Sequence, residues 1–351
     1  GRGEKGSVMI DSYGVTCVQA ETHVVTDDAT RDETIKRNVD RAVELLDFVG
    51  GEVRFGTKLV VFPEFFLTGV PEDRLLESYL RNASPIPGPE TDRLAEKAAE
   101  FGFFVAGNTF ELDPDWPGRV FNTSFIIDDG GKVILKYRKH NDAYAPVNTH
   151  PGDVYTEYVE RYGEDALFPV VDTSIGRLAC MTCYDVVFPE LARCFALKGA
   201  EVMIMPTGEG YSFVRKQHLM RRARAFENSV YVVAANHGRF YGGPRPTFQQ
   251  GGRTEIINPE GDVLECTEGP GEATVSAVID IGALRRKRSR VDFFNFLACF
   301  RGSLYAREYL RHEAWPLDAQ AERPIRSNEE NFEQGRRTLE ALRLPGIPGR
   351  A

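Results

Sequence analysis

No apolar run among the 351 residues is long enough to span a bilayer. Gly1–Met9 lacks the apolar core of a signal peptide, so residues 1–11 read as a flexible leader. Cysteine is sparse. Six in a chain of this length cannot form a disulfide scaffold, and Cys180-Met181-Thr182-Cys183 has no second pair with which to build a metal knuckle. Positive charge is in deficit, with 43 Lys and Arg against 52 Asp and Glu for a net charge of -9. That balance argues against nucleic acid as the main partner. The single basic run, Arg285-Arg286-Lys287-Arg288-Ser289-Arg290, is local and reads as a solvated face or a subunit contact. These absences point to a soluble protein of a reducing compartment, the cytoplasm by default, with neither membrane nor nucleic acid among its partners.

A hydrophobic content of 42% is ample for a large core, and a single α/β domain can reach this length. Short β-branched runs at Gly14–Ala20, Lys58–Phe62, Phe103–Gly107, Val202–Met205 and Tyr231–Asn236 predict strands. Leu167–Val171 and Gly176–Met181 predict a further pair. Helical spacing appears in Thr30–Val49, Thr91–Phe101, Pro189–Lys198 and Arg215–Asn228. Turn signals at Asp129-Gly130-Gly131 and Pro259-Glu260-Gly261-Asp262 predict hairpins. Alternating strands and helices with recurrent hairpins imply an α/β fold, with central sheets carrying helices on their outer faces. The domain runs over residues 12–310. Residues 311–351 turn polar and proline-spaced and read as a tail that wraps a neighbour or stays mobile, with a short helix at Glu329–Leu342.

Three reactive residues fall at predicted strand ends, where sites form in open α/β sheets: Glu64, Lys139 and Cys183. Each has an ordinary reading by itself. A free cysteine is usually a small buried hydrophobe, a glutamate can cap a helix, and a lysine beside an arginine can be solvated surface. A thiol becomes reactive only where its surroundings favour the thiolate. The other two segments supply a carboxylate and a cation that would do so.

The three segments together resemble the nitrilase superfamily of carbon–nitrogen hydrolases. They are Phe62-Pro63-Glu64-Phe65, Gly131 through Lys139, and Cys183-Tyr184-Asp185-Val186-Val187-Phe188-Pro189-Glu190. The similarity continues through Arg222–Asn228, Asn236 and Asn258–Gly261, over about residues 12–285. The resemblance implies a four-layer α-β-β-α sandwich, pairing into a homodimer or higher homo-oligomer, and a Glu–Lys–Cys triad. Glu64 would be the general base, Cys183 the nucleophile, and Lys139 the oxyanion stabiliser with a backbone N–H after Cys183. No metal or cofactor is implied. Relatives often hold a second glutamate near the lysine. Glu160 is the candidate for that place and Glu157 its rival, with a surface salt bridge as the plain alternative. Phe65, Tyr144, Tyr184, Thr207 and Asn236 are the candidate substrate-binding residues.

Tyr184-Asp185 stands where nitrilases proper usually have Trp-Glu, which favours amidase and carbamoylase branches. Val186 and Val187 occupy places where carbamoyl-amino-acid hydrolases often have an arginine, although Arg215, Arg239 or Arg245 could clamp a carboxylate from a loop. The sequence therefore predicts thiol-dependent hydrolysis of a small, partly apolar linear amide. Hydrolysis of an N-carbamoyl amine or amino acid stands next, ahead of nitrile hydrolysis and acyl transfer. An assembly or binding protein is the non-enzyme alternative, distinguished by an inert Cys183. Phe293-Phe294-Asn295-Phe296-Leu297 reads equally as a subunit contact or a core helix.

Overall fold

The computed structural model describes residues 10–143, 147–242, 247–249, 251–312 and 315–342, with backbone alone at 247–249. Two six-stranded sheets dominate it. In the first, Ser12–Gln19, Thr57–Val61 and Phe104–Glu111 form a parallel centre. Ala273–Asp280 flanks it on one side, and Phe121–Ile127 with Val133–Arg138 on the other, all antiparallel. The second repeats the plan. Gly176–Cys180, Val202–Pro206 and Tyr231–Ala235 run parallel, with Val171–Thr173 on one edge and Glu255–Ile257 and Val263–Cys266 on the other.

Strand residues alternate faces. Val15, Cys17, Leu59, Val61, Phe104 and Ala106 join the core shared with the second sheet. Their neighbours Val18, Val60 and Val105 face the opposite way and meet the helices Arg31–Gly51 and Pro89–Phe101. Both faces are buried, which is why these strands read as continuous apolar runs. Arg31–Gly51 buries Ile35, Val39, Ala42, Leu46 and Val49, a single helical stripe. Gly102 ends Pro89–Phe101 in the left-handed conformation that glycine adopts without steric cost. Pro189–Leu197 packs Leu191, Ala192, Phe195 and Ala196 into the second sheet's core, and Tyr211–Asn228 contributes Ala225 beside them. The result is the expected four-layer α-β-β-α sandwich.

Several elements escaped the sequence pattern. A small sheet joins Glu21–His23, Arg239–Tyr241 and Thr247–Gln249. The segment after Lys139 holds a turn at Pro151–Val154 and the helix Tyr155–Tyr162. Leu167–Val171 is not a strand: the chain makes a 3-10 turn at Glu164–Leu167, and pairing begins at Val171. The basic run lies in and just after the helix Ile281–Arg288, and much of it is engaged within the chain. Arg285 pairs with Glu201 at 2.5 Å, Lys287 with Glu260 at 2.9 Å, and Arg288 donates to the Ala200 carbonyl at 2.6 Å. Phe293 and Phe294 are exposed, which removes the core-helix reading for them.

Part of the C-terminal segment packs on its own chain. Leu76 N–H donates to the Arg326 carbonyl at 3.0 Å, and Gln320 N–H donates to the Asp153 carbonyl at 2.8 Å. The helix Asn328–Leu342 follows. Among the described residues no helix is long and apolar enough to cross a membrane.

Candidate active site

The strand Gly176–Cys180 delivers Cys183 to the cavity through a short bend. Cys183 has φ 47°, a left-handed conformation that costs an L-residue roughly 1–2 kcal/mol. Asp185 is buried behind it and holds the bend. Its carboxylate accepts from Thr182 N–H at 3.1 Å, the Tyr137 hydroxyl at 2.8 Å and Asn141 N–H at 3.0 Å. The Cys183 loop is thereby tied to the segment that carries Lys139. Arg224 adds a brace from below, donating to the Val186 and Val187 carbonyls at 3.0 and 3.3 Å.

Glu64 leaves the end of Thr57–Val61 and is 1% exposed. Its Oε1 accepts from Asn122 Nδ2 at 2.9 Å and from Lys139 Nζ at 2.8 Å. Asn108 fixes Asn122 with a 2.7 Å bond and accepts from Phe65 N–H at 3.2 Å. Phe65 is also left-handed, at φ 61°. Buried amides therefore set the carboxylate's orientation before any ligand arrives.

Lys139 lies between two carboxylates, 2.8 Å from Glu64 and 2.7 Å from Asp142. Burial alone would depress the ammonium, but Asp142 and Glu64 hold it well above its ordinary value. Burial raises the Cys183 thiol, and the charge of Glu64 adds to this, while Lys139 and a hydrogen bond with Thr207 oppose it. The resting pair is thus a protonated thiol beside a protonated lysine.

Neither expected second glutamate reaches that lysine. Tyr155–Tyr162 turns Tyr158 toward Trp116, Phe121 and Val154, which leaves Glu160 exposed and Glu157 paired with Arg161 at 2.7 Å. Asp142 occupies the place instead, three residues after Lys139. Its i, i+3 spacing from Lys139 is visible in the sequence, in an aspartate rather than the expected glutamate.

Glu64, Lys139, Asp142 and Cys183 share a cavity of about 400 Å³ with Phe65, Tyr184, Phe240 and Arg74. Phe65 and Tyr184 therefore line the same cavity as the three reactive residues. Thr207 lies behind the thiol and is fully buried. Asn236 is not on the wall. It accepts from Glu209 N–H at 2.8 Å and donates to the Gly252 carbonyl at 2.6 Å, holding the Thr207–Glu209 loop from beneath. Tyr144 and Arg245 lie outside the described residues. Arg239 stands 3.8 Å from Glu21, and Arg215 is exposed on its helix; neither lines the cavity.

A second charged cluster lies beneath the Thr207–Glu209 loop and has no signature in the sequence. Thr207 donates to Glu209 at 2.8 Å, and Arg221 pairs with Glu209 at 3.2 Å and with Glu255 at 2.8 Å. Glu255 also meets His218 at 2.8 Å. Burial raises Glu209 to about 7 despite Arg221. In sequence these residues are scattered charges on a helix, a loop and a strand. Among the described residues no group of three or more His, Cys, Asp or Glu could hold a metal ion.

A thiol, a carboxylate and an ammonium facing one cavity of this sandwich belong to the class of cysteine-dependent hydrolases. Residues 14–289 match the carbon-nitrogen hydrolase family, and the chain belongs to it, within the nitrilase superfamily. The chain is 28% identical to nitrilase homolog 2 of Dictyostelium discoideum over 262 residues, 74% of this chain and 75% of that protein. It is 33% identical to a formamidase of Bacillus cereus over 211 residues, 60% of this chain and 58% of the formamidase. The alignment thus spans less than two thirds of the formamidase. Nit3 of Saccharomyces cerevisiae, a member of branch 10 of the superfamily, superposes with TM-score 0.64 at 25% identity, over 83% of this chain and 98% of that one. A carbon-nitrogen hydrolase of Helicobacter pylori shares the fold with TM-score 0.66 at 19% identity, over 85% of this chain and 98% of that one.

Proposed function

We propose that the chain hydrolyses the C–N bond of a linear amide through a thioester on Cys183. The observation that carries this reading is the placement of Lys139 between Glu64 and Asp142, on the wall of the cavity that Cys183 also lines. Glu64 takes the thiol proton as sulfur attacks the amide carbon. Negative charge on the carbonyl oxygen is met by Lys139 and the Tyr184 N–H. The C–N bond then breaks, and the proton on Glu64 passes to the departing ammonia or amine. Water attacks the thioester while Glu64 takes its proton. The acid leaves, and the proton returns to sulfur. Asp142 keeps the lysine charged and in place throughout. Phe65, Tyr184 and Phe240 supply apolar and aromatic wall, which suits a partly apolar acyl group.

Hydrolysis of an N-carbamoyl amino acid is a second reading, and one observation favours it. Arg74 is an exposed residue of the cavity wall with φ 55°, and its guanidinium matches a carboxylate at the far end of a substrate. We further propose that the chain acts on a small molecule as a homo-oligomer, with the exposed Phe293 and Phe294 in a subunit contact.

Wild type and Cys183→Ala are to be incubated with linear amides, N-carbamoyl compounds and nitriles, measuring ammonia, acid and carbon dioxide. Ammonia and acid from an amide, lost by about 10⁴-fold or more in the variant, are expected. Carbon dioxide released together with ammonia would move the assignment to a carbamoylase. Efficient nitrile turnover would overturn both readings.

A further inference from the structure

We propose that His150 is a positioning residue for Lys139: it clamps Asp142 against the lysine, and the C-terminal segment at Trp315–Gln320 holds His150 through Asp153. This role rests on the reading of Lys139 as oxyanion stabiliser. The contacts form one continuous line. Lys139 Nζ is 2.7 Å from Asp142 Oδ1, and the other oxygen of Asp142 is 2.8 Å from His150 Nε2. His150 Nδ1 is 2.7 Å from Asp153 Oδ2. Asp153 accepts from Gln320 Nε2 at 2.7 Å and from Trp315 Nε1 at 3.3 Å.

Both ring nitrogens of His150 face carboxylates, and only the imidazolium can donate to both. Burial by itself would depress the ring, but Asp153 and Asp142 outweigh it and hold its pKa at about 10. Lys139 and Asp185 lie beyond Asp142, and Arg119 and Glu157 lie beyond Asp153. His140 is a second imidazole that feels the charge of His150, but burial lowers it to about 4 and it bonds the Leu167 carbonyl at 2.6 Å. The line therefore sets Glu64, Asp142 and Asp153 against Lys139 and His150. Removing the imidazolium enlarges the surplus of negative charge on this line, which reaches the Cys183 cavity at Asp142, and so opposes thiolate formation.

The backbone supports the same coupling. Asp318 N–H donates to the Gly152 carbonyl at 2.9 Å, and Asp318 Oδ1 accepts from Thr156 N–H at 2.9 Å. Arg119 grips the Gln320 carbonyl at 2.6 Å. Between this segment and the body lies a second cavity of about 310 Å³, bordered by His150, Asp153 and Trp315. It shares Asp142 and Tyr184 with the Cys183 cavity. The second cavity gives a small molecule access to the His150 side chain.

The test compares wild type, His150→Gln, His150→Gly and Gln320→Ala in the whole 351-residue chain. Two readouts are followed across pH: amide hydrolysis, and alkylation of Cys183 by iodoacetamide, resolved by peptide mass spectrometry. In His150→Gln, kcat is expected to fall roughly 10–100-fold, with KM changed by less than about threefold. Its Cys183 alkylation profile is expected to move to higher pH. Gln320→Ala, which removes the bond to Asp153 together with two long contacts from Thr149 and Ile325 N–H, and no charge, should move the same way by less. Imidazole should restore part of the activity of His150→Gly. Alkylation profiles unmoved in both His150→Gln and Gln320→Ala would overturn the proposal, even if activity fell. A wild type that hydrolyses no amide, with shifted alkylation profiles in the variants, would sink the amidase reading and leave the positioning role standing.

Discussion

Two buried charge clusters flank Cys183, built from similar residues and put to different ends. One runs from Glu64 through Lys139, Asp142 and His150 to Asp153, and its first three members line the cavity. The other joins Glu209, Arg221, Glu255 and His218, and Arg221 and Glu255 are both 0% exposed. Burying an ion costs several kcal/mol, and each cluster offsets that cost by pairing. In the cavity cluster the pairing also leaves an ammonium facing a space that a carbonyl oxygen can enter. In the sealed cluster Arg221 is spent on two carboxylates beneath the Thr207–Glu209 loop. Buried charge therefore does not mark a site by itself; an opening onto the cavity distinguishes the two.

Of the substitutions that separate the two clusters, Lys139→Met should change activity most. It removes the cation that the proposed oxyanion needs, and kcat/KM should fall by about 10³-fold or more. An activity near wild type would place Lys139 with Arg221 as a structural charge. Arg221→Met should reverse the pattern. It strands Glu209 and leaves Glu255 with only His218 and Arg253, so chemical denaturation should report a loss of about 3–5 kcal/mol. Its kcat/KM, measured where the variant is folded, should fall less than about tenfold. Asn236→Ala sharpens the same contrast at lower amplitude. It leaves buried backbone groups of the 209 and 252 loops unpaired and should cost about 1–3 kcal/mol with little change in KM.

A further contrast lies in the pH dependence of stability. In the folded chain His150 keeps its proton to about pH 10, against an ordinary value of 6.5. The native state therefore binds a proton that the unfolded chain has released across that window. Stability from this group is complete below about pH 6.5 and is lost as pH rises through 10. Asp142 acts in the opposite direction. Burial raises it, but Lys139 and His150 outweigh that and depress it, so its contribution is lost toward acid. Thermal melts of wild type should show an alkaline decline that is weaker in His150→Gln. An equal decline in both would assign it to other groups.

Local pattern was enough for much of this protein. Apolar runs with both faces buried announced the central strands, because a strand inside a sandwich has no polar side. The helix Pro189–Leu197 was legible from a proline in its first turn, and the hairpin at 129–131 from its turn chemistry. Glu64, Lys139 and Cys183 stood out because each follows a strand in an ordered set of motifs. Side-chain partners were another matter. Asp142 faces Lys139, whereas Glu160 points to solvent, because packing of Tyr158 beneath Tyr155–Tyr162 fixes which side of that helix is outward. Asn236 and Thr207 support a loop because contacts across the second sheet decide which polar atoms are sealed. The Gln320–Asp153 bond joins residues 167 positions apart. Periodicity is a property of neighbours along the chain and determines which face of an element is buried. Which charges meet depends on how those faces are brought together, and that information exists only in the folded structure.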